Sequence, residues 1–242
     1  MLKEISSLFS FLTIIPTNSS NLETVAKYMY IFPIIGLIIG GLVGGFGYGL
    51  AILDVDPLIV SLLIVTVITI ITGIHHTDGL ADFADGLMAR GTKEKKLQAM
   101  KDVKTGSAGI VSIVLYIVAL IIALSVDTPL GLFKAILFGE VLAKFSMVLM
   151  ASIGQSASLG SNSPFIQLMK DKRKLGLACV ITIIPLIVLG GALGMIMFAG
   201  SIIVTLFLTG IATRSFGGIT GDVLGATNEL TRLSSILIFV SL

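Results

Sequence analysis

The sequence predicts an all-α, polytopic membrane bundle of six to seven helices, and three observations carry that prediction. Hydrophobic residues make up 55% of the chain and charged residues only 12%, and the mean hydropathy is +1.06, a balance foreign to ordinary soluble domains. Charge-free runs recur at about 20 residues or more, enough to cross roughly 30 Å of hydrocarbon. Basic residues outside these runs gather in alternate connections, the asymmetry expected of loops on one side of a membrane.

Each element follows from local pattern. Residues 1–27 form an N-terminal segment in which Ile5 to Ile15 reads as a short interfacial helix; Glu4 and the lack of a small-residue cleavage site argue against a signal peptide. Tyr28 to Leu53 is the first span, with Gly36, Gly40 and Gly44 and also Gly41, Gly45 and Gly49 at helical spacing. Small residues so placed let helices approach closely, here within the chain in preference to a dimer, although an oligomer stays open. Asp54-Val55-Asp56-Pro57 is a turn, and Leu58 to Ile74 is the second span. After a polar stretch, Ala108 to Val126 is the third span, Asp127-Thr128-Pro129 a turn and Leu130 to Ala151 the fourth. Span four carries Lys134, Glu140 and Lys144; Glu140 and Lys144 stand at the spacing of a helical ion pair. Leu175 to Thr213 holds two further spans, breaking at Gly190 to Gly194, and Leu233 to Leu242 is too short to cross.

The positive-inside rule puts the N-terminus and the polar loops 75–107, 152–174 and 214–232 in the cytoplasm, with Asp54, Asp56 and Asp127 outside. A multi-pass protein of the cell membrane with its chemistry facing the cytoplasm is therefore expected. The net charge of +2 reflects this placement and implies no nucleic-acid partner. The single cysteine, Cys179, lies in an apolar run and reads as packing.

The loop 75–107 is the polar centre of the chain. Asp78, Asp82 and Asp85 stand at i, i+4 and i+7, within one arc of a helix, with Gly79, Ala81, Ala84 and Gly86 between them. Carboxylates so stacked repel one another unless a cation neutralises them, and an oxygen-only set suits Mg²⁺, or alternatively Mn²⁺, better than zinc. His75 and His76 are candidates for a metal ligand, a proton acceptor or an interfacial polar residue. Arg90 follows on the same element, where a guanidinium can clamp a phosphate. Lys93, Lys95 and Lys96 read as a surface facing membrane lipid. Asp102 and Lys104 precede a flexible turn, and a glycine-rich strip, Gly217 to Gly225, contains Asp222 and is followed by Asn228 and Glu229. The strip is neither a Walker loop nor a dinucleotide fingerprint. Carboxylates, turns and basic residues on one face suggest phosphoryl transfer.

Two families share these motifs. Asp82 to Arg90 resembles the first half of the CDP-alcohol phosphotransferase signature, D-x-x-D-G-x-x-A-R, but the second half does not follow. A longer likeness, covering nearly the whole chain, is to the cobalamin synthase (adenosylcobinamide-GDP ribazoletransferase) family. It rests on H-x-D-G-L-A-D-x-x-D-G from His76 to Gly86, M-K-D-x-x-x-G-x-x-G from Met100 to Gly109, and G-G-x-T-G-D-x-L-G-A from Gly217 to Ala226 with Glu229 nearby. This resemblance implies that adenosylcobinamide-GDP and α-ribazole, or its 5′-phosphate, are the substrates and GMP the leaving group. It implies Asp78, Asp82, Asp85, Asp102, Asp222 and Glu229 as holders of one or two Mg²⁺ ions. Arg90, Lys104, Arg214, Gly217, Gly218, Gly221 and Asn228 become candidate substrate contacts, and Asp85 or His76 the proton acceptor. Phospholipid head-group transfer and transport past Lys134, Glu140 and Lys144 are the competing expectations.

Overall fold

The structure is a computed structural model that describes residues 2–16, 21–125, 128–157 and 164–242. Asp127, and parts of the segments 1–27 and 152–174, lie outside the described residues. The described chain is helical, with α1 (Leu2–Leu12), α2 (Leu22–Lys27), a 3-10 turn (Met29–Ile31), α3 (Phe32–Ile52), α4 (Pro57–Thr72), α5 (His75–Met88), α6 (Lys93–Met100), α7 (Ser107–Leu124), α8 (Pro129–Ile153), α9 (Pro164–Leu168), α10 (Lys172–Phe216) and α11 (Gly221–Ser241). Helices α3, α7, α8, α10 and α11 are long and apolar enough to cross a membrane; α4 qualifies only together with α5, from which it bends by 94°.

Turn chemistry sets the ends of these helices. Asp56 caps α4 by accepting from the N–H groups of Leu58 and Ile59, and Pro57 occupies a first-turn position where its missing N–H costs nothing. Thr128 caps α8 in the same way, accepting from Gly131 N–H at 3.2 Å. Gly73, at φ 67°, makes the corner that sends α5 across the end of the bundle.

Helix α8 is the axis of the fold: its span is 89% buried, against 17% for α10, which places α8 at the centre and α10 at the lipid-facing edge. Glycine brings α3 onto it. A Cβ on Gly36 would stand 2.7 Å from Glu140 O, and one on Gly40 2.8 Å from Leu137 Cα, whereas Gly41, Gly45 and Gly49 face open space. The first glycine row thus packs inside the chain. In α10 the chain leaves helical geometry at Gly191 (φ 56°, ψ −131°), within the expected break, and a Cβ on Gly194 would collide with Leu186 O. The two arms therefore fold back on one another.

Residues 75–107 connect the spans as a largely helical segment: Asp78, Asp82 and Asp85 lie on α5, as their helical spacing anticipates, and α6 follows, joined where Lys96 Nζ donates to Leu87 O at 2.9 Å. Residues 214–232, expected as a loop, are largely helical: α10 runs on to Phe216, and α11 covers Gly221–Ser241, so residues 233–241 continue that 21-residue helix. Its polar residues misled because they find partners inside the bundle. At the polar end, α1, α2, the 3-10 turn and α9 form a collar, in which Ile14 N–H donates to Ile71 O at 2.8 Å.

The glycine asymmetry gives a direct test. Gly40→Leu should lower the melting temperature of the detergent-solubilised protein, by about 1–3 kcal/mol of overpacking, while Gly41→Leu should leave it unchanged. Equal effects would refute the assigned α3–α8 interface.

Candidate active site

The site begins with a helix crossing. Helix α5 meets the first turn of α11, where a Cβ on Gly79 would lie 3.0 Å from Asp222 O and one on Gly225 3.2 Å from His76 Cα. The two backbones nearly touch, and Asp222 arrives beside α5. Thr220 caps α11, accepting from Val223 N–H at 3.2 Å, and its hydroxyl donates to Asp222 Oδ2 at 3.4 Å. Burial, together with the charges of Asp78, Asp222 and Asp85, pushes the Asp82 carboxyl up to about 6. Among the described residues, Asp78, Asp82 and Asp222 form no ion pair.

Asp85 has a different task. The N–H groups of Gly106 and Gly109 donate to its two oxygens at 2.6 and 2.8 Å, so it fastens the start of α7 to α5. Any side chain at either glycine would occupy the carboxylate's place, since a Cβ there would be 2.5 or 2.6 Å from an Asp85 oxygen.

Asp78 and Asp222 line a cavity of about 610 Å³ with His75, His76 and Gly221; the collar supplies Phe11, Leu22, Met29 and Phe165. His76 is buried, and that burial, with Lys144, Arg232 and His75 nearby, holds its imidazole well below the usual histidine range. Among the described residues no three His, Cys, Asp or Glu side chains converge tightly enough to hold a metal by themselves.

A sequence model described as cobalamin-5-phosphate synthase matches residues 4–240 of this chain. The chain belongs to the cobalamin-5-phosphate synthase family. Relatives named adenosylcobinamide-GDP ribazoletransferase include those of Methanocella arvoryzae, 32% identical over 98% of this chain and 94% of that protein, and of Geotalea daltonii, 33% identical over 96% and 94%. The protein of that name from Thermococcus onnurineus is 31% identical over 96% of this chain and 95% of its own length. No solved structure matches the chain.

The family motifs separate by role in this fold. Of the strip glycines, Gly221 and Gly225 border the cavity. Gly217, at φ 83°, ends α10 in the left-handed region, and Gly218 lies against Gln155 and Ser156. There Ile219 N–H donates to Gln155 O at 2.7 Å and Ala157 N–H to Ile219 O at 3.1 Å. Gly217 and Gly218, candidate substrate contacts, thus sit at a junction between two loops. Arg90, Lys104 and Arg214 are exposed. Asp102 is exposed too and accepts from Lys104 N–H at 3.0 Å, closing a local turn.

Asn228 and Glu229 are the largest correction. Both are fully enclosed in α11, one turn and more beyond Asp222, where they join a buried polar network instead of the cavity. Arg232 donates to Glu140, to Glu229 and, at 2.7 Å, to Tyr116 Oη. Lys144 Nζ donates to Asn228 Oδ1 at 2.8 Å and stands 3.5 Å from Glu140, while Asn228 Nδ2 donates to Glu229 Oε1 at 2.9 Å. Two cations meet two anions. The pairing of Glu140 with Lys144 is therefore one edge of a larger cluster. Sequence reasoning missed Arg232 and Tyr116 as partners; the signal was the surplus of charge in apolar segments, each needing a mate. It also missed Phe11, Phe32 and Phe165, ordinary apolar residues in sequence.

Two substitutions separate these roles. Arg232→Met leaves two buried carboxylates with one lysine and should cost about 3–5 kcal/mol, read as a large fall in melting temperature. Asp82→Asn removes repulsion and should leave that temperature equal or higher. A stable Arg232→Met protein, or a strongly destabilised Asp82→Asn protein, would contradict the assignment.

Proposed function

We propose that this chain joins α-ribazole, or its 5′-phosphate, to the cobinamide-linked phosphate of adenosylcobinamide-GDP and releases GMP, at the cytoplasmic face of the cell membrane. The observation that carries this reading is a set of carboxylates without ion pairs where α5 and α11 meet: Asp78 and Asp222 line the cavity, and Asp82 feels the charge of both. The names of the relatives supply the substrates. Sidedness rests on the basic residues at this end of the bundle, from Lys93 to Lys104 and from Lys170 to Lys174.

The donor set fits a hard dication: oxygen ligands only, with burial and then the neighbouring carboxylates raising Asp82. Because the side chains do not converge on one point, the substrate's diphosphate oxygens would complete the coordination. Asp78, Asp82 and Asp222 would hold Mg²⁺, with Mn²⁺ as the alternative, and the ion would neutralise the diphosphate and stabilise GMP as it leaves. The protein's own residues do the rest. His76 borders the cavity while both oxygens of Asp85 are engaged by α7, so His76 is assigned as acceptor of the hydroxyl proton and Asp85 as the residue that positions α7 on α5. Exposed Arg90 and Lys104 attract the anionic substrate to this face.

Purified protein in detergent, given adenosylcobinamide-GDP, α-ribazole and Mg²⁺, should release GMP, and a chelator should stop it. Asp82→Asn and Asp222→Asn should each lower the rate by at least about 100-fold, the scale for losing a preorganised electrostatic contact. No GMP from the wild type, or full rates in both variants, would reject the proposal.

A further inference from the structure

Phosphate chemistry accounts for only part of the cavity. Beside Asp78, Asp222, His75, His76 and one hydroxyl, that of Ser10, its lining is mainly apolar and aromatic, with Phe11, Phe32, Phe165, Met147 and Leu224. The Phe11 ring lies 6.2 Å from that of Phe32 and 5.5 Å from that of Phe165, inclined by 27° and 35°. Three rings from α1, α3 and α9 thus gather with similar tilt at one cavity. Nothing in the transfer step requires them.

We infer that the aromatic part of this cavity binds the flat base of the acceptor nucleoside, directing its ribose hydroxyl toward His76 and the carboxylates. The inference rests on the reaction proposed above and adds where the acceptor sits. Size and polarity argue for this occupant. A cavity of about 610 Å³ lies in the range of ordinary small-molecule sites, roughly 300–1,000 Å³, and suits a nucleoside; a corrin macrocycle with its side chains is far too bulky. The donor's guanine presents a full edge of hydrogen-bond donors and acceptors, which lose free energy when buried without partners. Phenylalanine, methionine and leucine offer none. A benzimidazole-type base has little such edge, and its faces can lie against the rings. The same cavity holds both kinds of lining, so one nucleoside spans from rings to carboxylates.

The test separates the two substrates. Phe165→Ala should raise KM for α-ribazole about 10-fold, the scale of one lost base-stacking contact, and leave KM for adenosylcobinamide-GDP unchanged. Leu22→Trp adds bulk at the cavity from a residue that is 51% exposed, so folding is spared; it should do the same with an unaltered melting temperature. A rise in donor KM alone would put guanine in the cavity, and unchanged values for both substrates would show that neither enters it. Equilibrium dialysis of α-ribazole against the wild type, without donor or metal, stands apart from the transfer reaction. Binding that Leu22→Trp weakens supports the inference even if no GMP is released, and binding equal in both proteins, or absent from the wild type, overturns it.

Discussion

Four charges inside a bundle of membrane helices must find one another, because each one alone at membrane depth costs about 3 kcal/mol or more. Here Glu140 and Lys144 of α8 meet Glu229 and Arg232 of α11, with Tyr116 of α7 and Asn228 closing the set. That closure fixes α11 in both rotation and depth against the central helix. A slide of one turn would separate Arg232 from Glu140 and Asn228 from Lys144. The first turn of α11 is thereby held at the polar end, and Asp222 stands where α5 passes.

The second constraint is close approach. Gly79 and Gly225 let α5 and α11 cross nearly backbone to backbone, and Gly106 and Gly109 make room for the Asp85 carboxylate at the start of α7. Motif glycines that suggest phosphate binding in a sequence thus serve mainly to bring helices together. Asp78, Asp82 and Asp222, which form no ion pair among the described residues, gather where α5 meets α11, beside a cavity bordered by the collar. Rigid elements place each of these groups, which is what an electrostatic site requires.

Much of this was legible in the sequence. Span positions followed from charge-free runs, the break in α10 from Gly190 to Gly194, and the shared face of Asp78 and Asp82 from helical spacing. The segment 214–232 looks like a loop in sequence because Asn228, Glu229 and Arg232 are too polar for lipid, and a sequence does not display the partners that neutralise them across the bundle. Asp85 looked like a metal ligand because its spacing matches Asp78 and Asp82; its commitment to two distant backbone N–H groups is a tertiary fact. Nothing local marks Phe11 or Phe165, since an apolar residue beside a cavity looks like any other apolar residue.

The most direct measurement concerns whether α5 and α11 build one dication site between them. Mn²⁺ binding followed by electron paramagnetic resonance on the purified protein, with adenosylcobinamide-GDP present, compares the wild type with Asp78→Asn and Asp222→Asn. A bound-ion signal in the wild type, weakened to a similar degree by substitution on either helix, is the predicted result. A signal that survives Asp222→Asn intact would show that α11 contributes no charge to the site and would contradict the assembly described.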